Sequence, residues 1–398
     1  MDNNQTALHI IANGTYGVSM SGGDRILIEM TRRWLTMCRE VCFYVNEEGR
    51  ALYEYHGLAD VKYVVWPSSR FKKFGFLCVY LARIIIGACR CLRLKLPENC
   101  VVYSSSDFLP DSLPALALKF RYAAKIRWVA GFYLFAPNPF GKDCPYKGAN
   151  RVRALVYYLS QFPVYFLIKR FSDAVCVTSE PDVKRFVTKG RSEKDIIVMR
   201  GGVDFDFFRN IPAPAAKEFD AVYIGRLHPQ KGILELMDIW KIVMQKVPKA
   251  RLAVIGDGPL ERGAKNIAEK HGLNKNIEFF GFKDGSEKAR IFKSSKIVVH
   301  PATYDSGGMA SCEAMACGLP GISFDLESLK TYYPKGMLKI PCFDKRLFAD
   351  GIDKLLTDAS LYDTLSAEAL EWARTWDWSL RAKEIFYSIS GGNSGGKQ

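Results

Sequence analysis

Ile297–Phe324 reads IVVHPATYDSGGMASCEAMACGLPGISF, and the order of its apolar runs and small residues sets the fold. Ile297–His300 and Gly321–Phe324 are short apolar strands, and Met309–Cys317 between them is short, mostly apolar and free of proline. That middle run reads as a helix beginning at Gly307 and Gly308, so strand, helix and strand follow one another as in a parallel sheet with crossover helices. The glycine pair allows a ligand to approach the main chain closely. The helix start, including Met309 and Ala310, offers unpaired N–H groups and the positive end of a dipole, which suits a phosphate. Asp305 and Glu313 stand eight positions apart on either side of this turn and are expected to face different parts of one ligand. The loop reads as a seat for a nucleoside diphosphate, against the blander alternative of a turn made of small residues for packing.

The same alternation extends in both directions. Upstream strands are expected at Leu8–Ala12, Glu40–Val45, Val61–Val65, Cys100–Tyr103, Ile126–Val129 and Ala174–Thr178. A second series follows at Ala221–Ile224, Arg251–Ile255 and Ile277–Phe280, with helices at Gly232–Lys246 and Pro259–His271. The predicted fold class is α/β, with two Rossmann-like doubly wound domains. One spans residues 1–198 and the other 199–379, the change falling near Ile196–Gly202. Trp372–Ser390 reads as helical, and the Gly/Ser-rich tail 391–398 as disordered. Near the start, Asp24 is expected to cap a helix over Arg25–Met37. Gly22 and Gly23 before it either approach a donor phosphate or acceptor, or simply make the turn.

Tyr223–Gly232, YIGRLHPQKG, is the second constellation. A strand ends at Gly225, which puts Arg226 at the carboxyl edge of a sheet, where open α/β sheets bind ligands. Lys231 precedes the next helix and can point to the same place. Two cations there would neutralise a leaving diphosphate, as an Arg/Lys clamp does for phosphoryl groups.

Together these segments resemble retaining nucleotide-sugar glycosyltransferases of the family-4 type, in which an acid, seven residues and a Glu precede an Ala-rich helix ending in Gly-Pro. The resemblance implies the GT-B fold, with two domains facing a central cleft and the last helix, about 380–390, crossing back to the first domain. It implies that Asp305 holds hydroxyls of the donor sugar, Glu313 holds the ribose, and Arg226 and Lys231 grip the pyrophosphate. By order along the chain it places Val254–Pro259, with Gly256, beside the cleft and Gly281-Phe282 at the nucleotide base. It also matches Gly201–Asp204 to the loop that opens the second domain. The chain departs from the pattern in having Asp305 for the usual Glu and Gly307 for an aromatic. The Trp128–Phe132 region also lacks the first-domain His of many relatives. His300, at a strand end shortly before Asp305, either approaches the site or, on the favoured reading, packs. Asp204-Phe205-Asp206 imitates a metal-binding Asp-x-Asp, but lies in the opening loop, so no metal site and no cofactor beyond the nucleotide-sugar co-substrate are expected.

The composition is that of a globular chain: 398 residues, 48% hydrophobic and 25% charged, with formal charge +14. Residues 1–200 carry 29 Lys and Arg against 17 Asp and Glu, and the remainder 27 against 25, so the first half is the basic one. Acid-free windows run from Asp60 to Glu98, Asp111 to Asp143 and Asp143 to Asp173. Two of them coincide with Phe71–Leu96 and Arg151–Arg170, which mix aromatics and aliphatics with basic charges only. These read as interfacial surfaces for an anionic membrane or acceptor, with Arg70, Lys72, Lys73, Arg151 and Arg153 at phosphate level. The bland alternative is two core helices with basic ends. Nucleic acid is not expected, since no recognised motif accompanies the charge. Eleven scattered cysteines without metal spacing, and an amino terminus unlike a signal peptide, suggest a cytoplasmic protein, which the basic windows make peripheral at the cytosolic face of a membrane.

The function expected is transfer of a hexose or N-acetylhexosamine from a nucleoside-diphosphate sugar to a lipid-linked or glycan acceptor. The alternatives are a nucleotide-sugar 2-epimerase and a non-catalytic sugar-nucleotide-binding subunit.

Overall fold

The computed structural model describes residues 6–17, 20–141, 144, 146, 150–305 and 309–391. The expected glycine pair Gly307–Gly308, the side chain of Arg153 and the tail beyond Gly391 lie outside the described residues. The chain divides into two compact units, one from Met1–Ala136, Arg153–Gly201 and Trp378–Gln398, the other from Pro137–Val152 and Gly202–Asp377.

Among the described residues the first unit holds seven parallel strands: β1 (Ala7–Ala12), β2 (Glu40–Val45), β3 (Lys62–Val65), β4 (Cys100–Ser104), β5 (Ile126–Gly131), β6 (Ala174–Val177) and β7 (Ile196–Val198). Their order is β3-β2-β1-β4-β5-β6-β7, so the sheet is doubly wound and reverses direction between β1 and β4. The central strand ALHIIA is buried at every position, as a strand covered on both faces by helices must be. β7 is absent from the sequence-based expectation. It has three residues and lies inside the stretch read as the domain change, too short to show a period of its own.

The first helix runs over Gly22–Trp34, three residues earlier than expected at its far end. Its cap is Ser21, not Asp24. The Ser21 hydroxyl accepts from Asp24 N while Asp24 reaches back to Ser21 N at 2.9 Å, a capping box that uses both residues. Gly22 and Gly23 therefore form the first helical turn, and a Cβ on Gly23 would meet Tyr133 Cδ2 at 3.0 Å, so close packing explains that glycine. The stretch read as one terminal helix is two, Ala359–Arg374 and Trp378–Ile389. The second belongs to the first unit, where Trp34 Nε1 donates to Ala382 O at 2.9 Å.

The second unit holds β8 (Phe219–Ile224), β9 (Leu252–Ile255), β10 (Ile277–Gly281), β11 (Ser295–His300), β12 (Gly321–Phe324) and β13 (Met337–Ile340). All pair in parallel, in the order β10-β9-β8-β11-β12-β13. β13, the edge strand, was not anticipated. Its MLKI carries a lysine and only half-buries its middle pair, so its apolar signal is weak. The order reverses between β8 and β11. Both constellations read from the sequence leave the sheet at this switch point.

Candidate donor site

The loop after β8 is shaped by Leu227, which is fully buried and so directs its neighbours Arg226 and His228 outward. Leu227 N donates to Asp257 O at 2.7 Å and Leu260 N to Leu227 O at 3.0 Å, tying this loop to the one after β9. Gly256 adopts a φ of 131°, and any Cβ there would run into the Gly225 carbonyl. Its N–H donates to Gly281 O at 2.8 Å. Gly225, Gly256 and Gly281 thus bring three strand ends together, and the exposed ring of Phe282 follows the last.

Gly232 does the same on the other side. At φ 67° it lets the chain pass against the Pro301 carbonyl with no room for a side chain. Thr303 N and Tyr304 N both donate to Gln230 O, at 2.9 and 3.2 Å. The loop after β8 and the loop after β11 are stitched together, which delivers Lys231 to Asp305. Lys231 Nζ lies 2.6 Å from Asp305 Oδ2.

Asp305 has a second partner. His300, at the end of β11, places Nε2 3.3 Å from Asp305 Oδ2 and Nδ1 2.9 Å from Ser311 Oγ. Burial pushes the Asp305 carboxyl up, but Lys231 and His300 outweigh it and hold it well below the usual carboxylate range. Burial pushes His300 down against the pull of Asp305. Ser328 Oγ donates to Asp305 O at 2.7 Å and steadies the same loop. Of the two readings of His300, the approach to the site is the one found: buried at the end of the strand, it links the loop acid to the helix behind. His228 is the other histidine here, and burial, Arg226 and Lys231 lower it to about 4, so it is neutral at physiological pH.

The helix expected after the glycines spans Ala310–Ala316. Glu313 on it is only 6% exposed, amid fully buried Cys312, Ala314 and Met315. Its Oε2 lies 2.8 Å from Lys288 Nζ, a residue the sequence reading passed over. Asp305 and Glu313 thus hold different cations, Lys231 and Lys288. Arg226 is exposed on the loop after β8. Asp204 and Asp206 flank buried Phe205, with Asp206 exposed on the short helix Phe205–Asn210.

In the first unit the switch point between β1 and β4 holds a buried carboxyl. Asp111 accepts from Gly14 N at 2.6 Å, from Ser105 Oγ at 3.1 Å and from Ser106 Oγ. Burial raises it to about 7, against the lowering effect of those donors. It fixes the loop that follows β1.

The basic windows are acid-free in sequence but not in space. Lys72 pairs with Glu48 at 2.5 Å, and Arg83, buried, pairs with the same Glu48 at 2.7 Å. Lys119 pairs with Asp173 and Lys125 with Glu98, each at 2.7 Å. Arg151 is exposed, with Nε donating to Pro139 O at 2.5 Å. Arg70 and Lys73 are exposed, each cation over the ring of the following phenylalanine. The apolar surface is larger than the charge suggests. The helix Phe76–Cys91 exposes Phe76, Leu77, Leu81 and Ile85, and the helix Asn150–Phe171 exposes Val156, Leu159, Phe162 and Phe166. Each helix also buries its other face, with Val79 and Ile84 on the first and Val164 and Ile168 on the second, so both pack and both expose an apolar stripe. Among the described residues no helix is long and apolar enough to cross a membrane.

Residues 204–372 match the family model of glycosyl transferases group 1. A D-inositol 3-phosphate glycosyltransferase of Stackebrandtia nassauensis is 28% identical over 54% of this chain and 53% of its own. A phosphatidyl-myo-inositol mannosyltransferase of Mycobacterium leprae is 28% identical over 48% of this chain and 52% of its own. The chain thus spans about half the length of the curated relatives it matches. Among solved structures, Anabaena HepE in complex with UDP and glucose superposes with a TM-score of 0.71 at 16% identity, over 97% of this chain and 100% of that one. At that identity the likeness shows the fold alone, which is GT-B.

Proposed function

We propose that this chain, a family-4-type protein on a GT-B frame whose residues 204–372 carry the glycosyl transferases group 1 module, is a retaining, metal-independent hexosyltransferase. It moves a hexose or N-acetylhexosamine from a nucleoside diphosphate to a lipid-linked or glycan acceptor. The observation that carries this reading is the Lys231–Asp305 pair at the β8/β11 switch point, with Arg226 exposed on the same loop as Lys231. Lys231, with Arg226 on its loop, suits a leaving diphosphate, and the ionised Asp305 suits sugar hydroxyls. Asp305 is the shorter acid, so it reaches a sugar hydroxyl less far than a Glu would.

In this mechanism the bond from the anomeric carbon to the diphosphate oxygen breaks while Arg226 and Lys231 stabilise the developing charge. The departing oxygen takes the acceptor's proton on the same face of the sugar, and the acceptor oxygen bonds to the anomeric carbon. Glu313 holds the ribose by a charge-assisted contact. The remaining work is positioning. A polyanionic or lipid acceptor agrees with the basic first half and with the outward apolar stripes of helices Phe76–Cys91 and Asn150–Phe171. The names of relatives point to acceptors of the inositol phosphate and phosphatidylinositol class. We place the protein at the cytosolic face of an anionic membrane.

The test is incubation of the full chain with labelled UDP- and GDP-sugars and a panel of acceptors, from free inositol phosphates to phosphatidylinositol in vesicles. Transfer with retained anomeric configuration supports the reading. Isomerisation of the donor sugar supports a 2-epimerase, and donor binding without turnover a non-catalytic subunit.

A further inference from the structure

Lys288 belongs to none of the motifs that mark the donor site, yet it is among the most buried cations of the second unit, at 3% exposure. It lies in the helix Gly285–Lys293, between two carboxylates. Its Nζ is 2.6 Å from Asp284 Oδ1 and 2.8 Å from Glu313 Oε2, and 5.6 Å from the centre of the Phe208 ring. Lysines are rarely buried unless paired, because removing an ammonium from water is costly and only good geometry on both sides recovers it.

That arrangement has a consequence for Glu313. A carboxylate that is to hold two vicinal hydroxyls must stay ionised and present its lone pairs in a fixed direction. The backbone of Glu313 is fixed by a helix whose other residues pack into the core, and Lys288 fixes the carboxylate from the second side. Asp284, half-exposed at the start of the lysine's own helix, anchors the ammonium in turn. The three form a line, Asp284–Lys288–Glu313, running from the surface to the carboxylate.

We infer that Lys288 is a positioning residue for recognition of the nucleotide ribose, acting through Glu313. The inference rests on the reading of Glu313 as the ribose ligand. It follows that discrimination between ribonucleotides and deoxyribonucleotides runs through a lysine that does not touch the ribose.

Calorimetry on the full chain tests this with uridine and guanosine diphosphates and their 2′- and 3′-deoxy counterparts. The unaltered protein should prefer the ribonucleotide by about tenfold or more, the scale of a hydrogen bond to a charged group. Lys288→Met should abolish most of that preference while leaving affinity for the deoxy forms nearly unchanged. Lys288→Arg, which keeps the charge, should retain a part of it. Asp284→Asn alters only the outer end of the line and so protects the test against a folding failure; it should reduce the preference to an intermediate value. A Lys288→Met protein with the full ribose preference overturns the inference, as does an equal loss for ribo and deoxy forms, which marks a purely structural role. Binding of diphosphates by the unaltered protein without any ribose preference removes the reading of Glu313, and the inference with it. Absence of binding to either diphosphate removes the donor site itself.

Discussion

Lys231 Nζ lies 2.6 Å from Asp305 Oδ2, so the cation assigned to the leaving diphosphate is already bound to the acid assigned to the sugar. The pair bridges two loops that meet at the sheet's switch point, and His300 completes it from the strand below. Asp305 is buried and Lys231 partly so; such a pair adds little net stability, but removing the lysine leaves the buried carboxylate short of a partner and costs up to about 3–5 kcal/mol. Lys231 therefore supports the loop whatever its part in the proposed reaction, whereas Arg226 is exposed and has only the proposed role.

These roles separate by measurement. Lys231→Ala and Arg226→Ala should each lower transfer by about two to four orders of magnitude, somewhat beyond the usual effect of one lost oxyanion donor. Only Lys231→Ala should also lower the melting temperature, by several degrees. Near-normal turnover in both variants rejects the clamp, and equal melting temperatures reject the structural share of Lys231.

The sequence made the switch-point loops legible because their chemistry is local. Gly225-Arg226 follows a strand directly, Lys231-Gly232 opens the next helix and Asp305 lies five residues past a strand end, each near an apolar run, and eleven of the thirteen strands among the described residues were readable from such runs. What escaped was relational. Lys288 and Glu313 are 25 positions apart, and nothing in the spacing says that two helices will bury the lysine beside the acid. The pairing of cations in the charge windows was hidden for the same reason, since Glu48 lies upstream of the window that holds its partners Lys72 and Arg83. Ser21 and Asp24 illustrate the reverse case: both are capping residues by type, and only geometry assigns which one caps.

Glu313→Gln should weaken nucleoside diphosphate binding by roughly tenfold or more, the loss expected when a charge-assisted contact becomes a neutral one. Activity of the unaltered protein should persist after exhaustive chelation. Loss with EDTA and recovery with Mn²⁺ would instead make Asp204 and Asp206 metal ligands.

Asp111 sets a pH dependence on the first unit. Its carboxyl is raised to about 7 in the fold from an ordinary value of 3.8, so the folded state binds the proton more tightly than the unfolded state. Its contribution is present below the unfolded value, falls as pH rises between the two, and is lost above about 7, on the order of 4 kcal/mol in all. Asp111→Asn removes the titration. The melting temperature of the unaltered protein, relative to that variant, should therefore drop between pH 5 and pH 8. A constant difference across that range rejects the assignment.

The membrane reading turns on apolar side chains more than on charge, because Lys72 and Arg83 are already paired to Glu48. Phe162 and Phe166 lie one helical turn apart and are both more than half exposed, on a helix that ends in Lys169 and Arg170. Burying such a ring in the acyl boundary contributes about 1.5–3 kcal/mol, and each nearby cation about 1 kcal/mol at an anionic surface. The protein should co-sediment with anionic vesicles and less with neutral ones, and salt should weaken but not abolish the binding. Phe162→Asp with Phe166→Asp should release it more completely than reversing Arg70 and Lys73 to Glu. Both sets should keep nucleotide binding, since none of the four residues belongs to the donor unit. Release by the charge reversals alone, with the Asp pair still bound, makes the surface an electrostatic patch and leaves the apolar stripe to another partner. Failure of the unaltered protein to bind either vesicle removes the membrane face, and a soluble inositol phosphate or glycan becomes the acceptor to test.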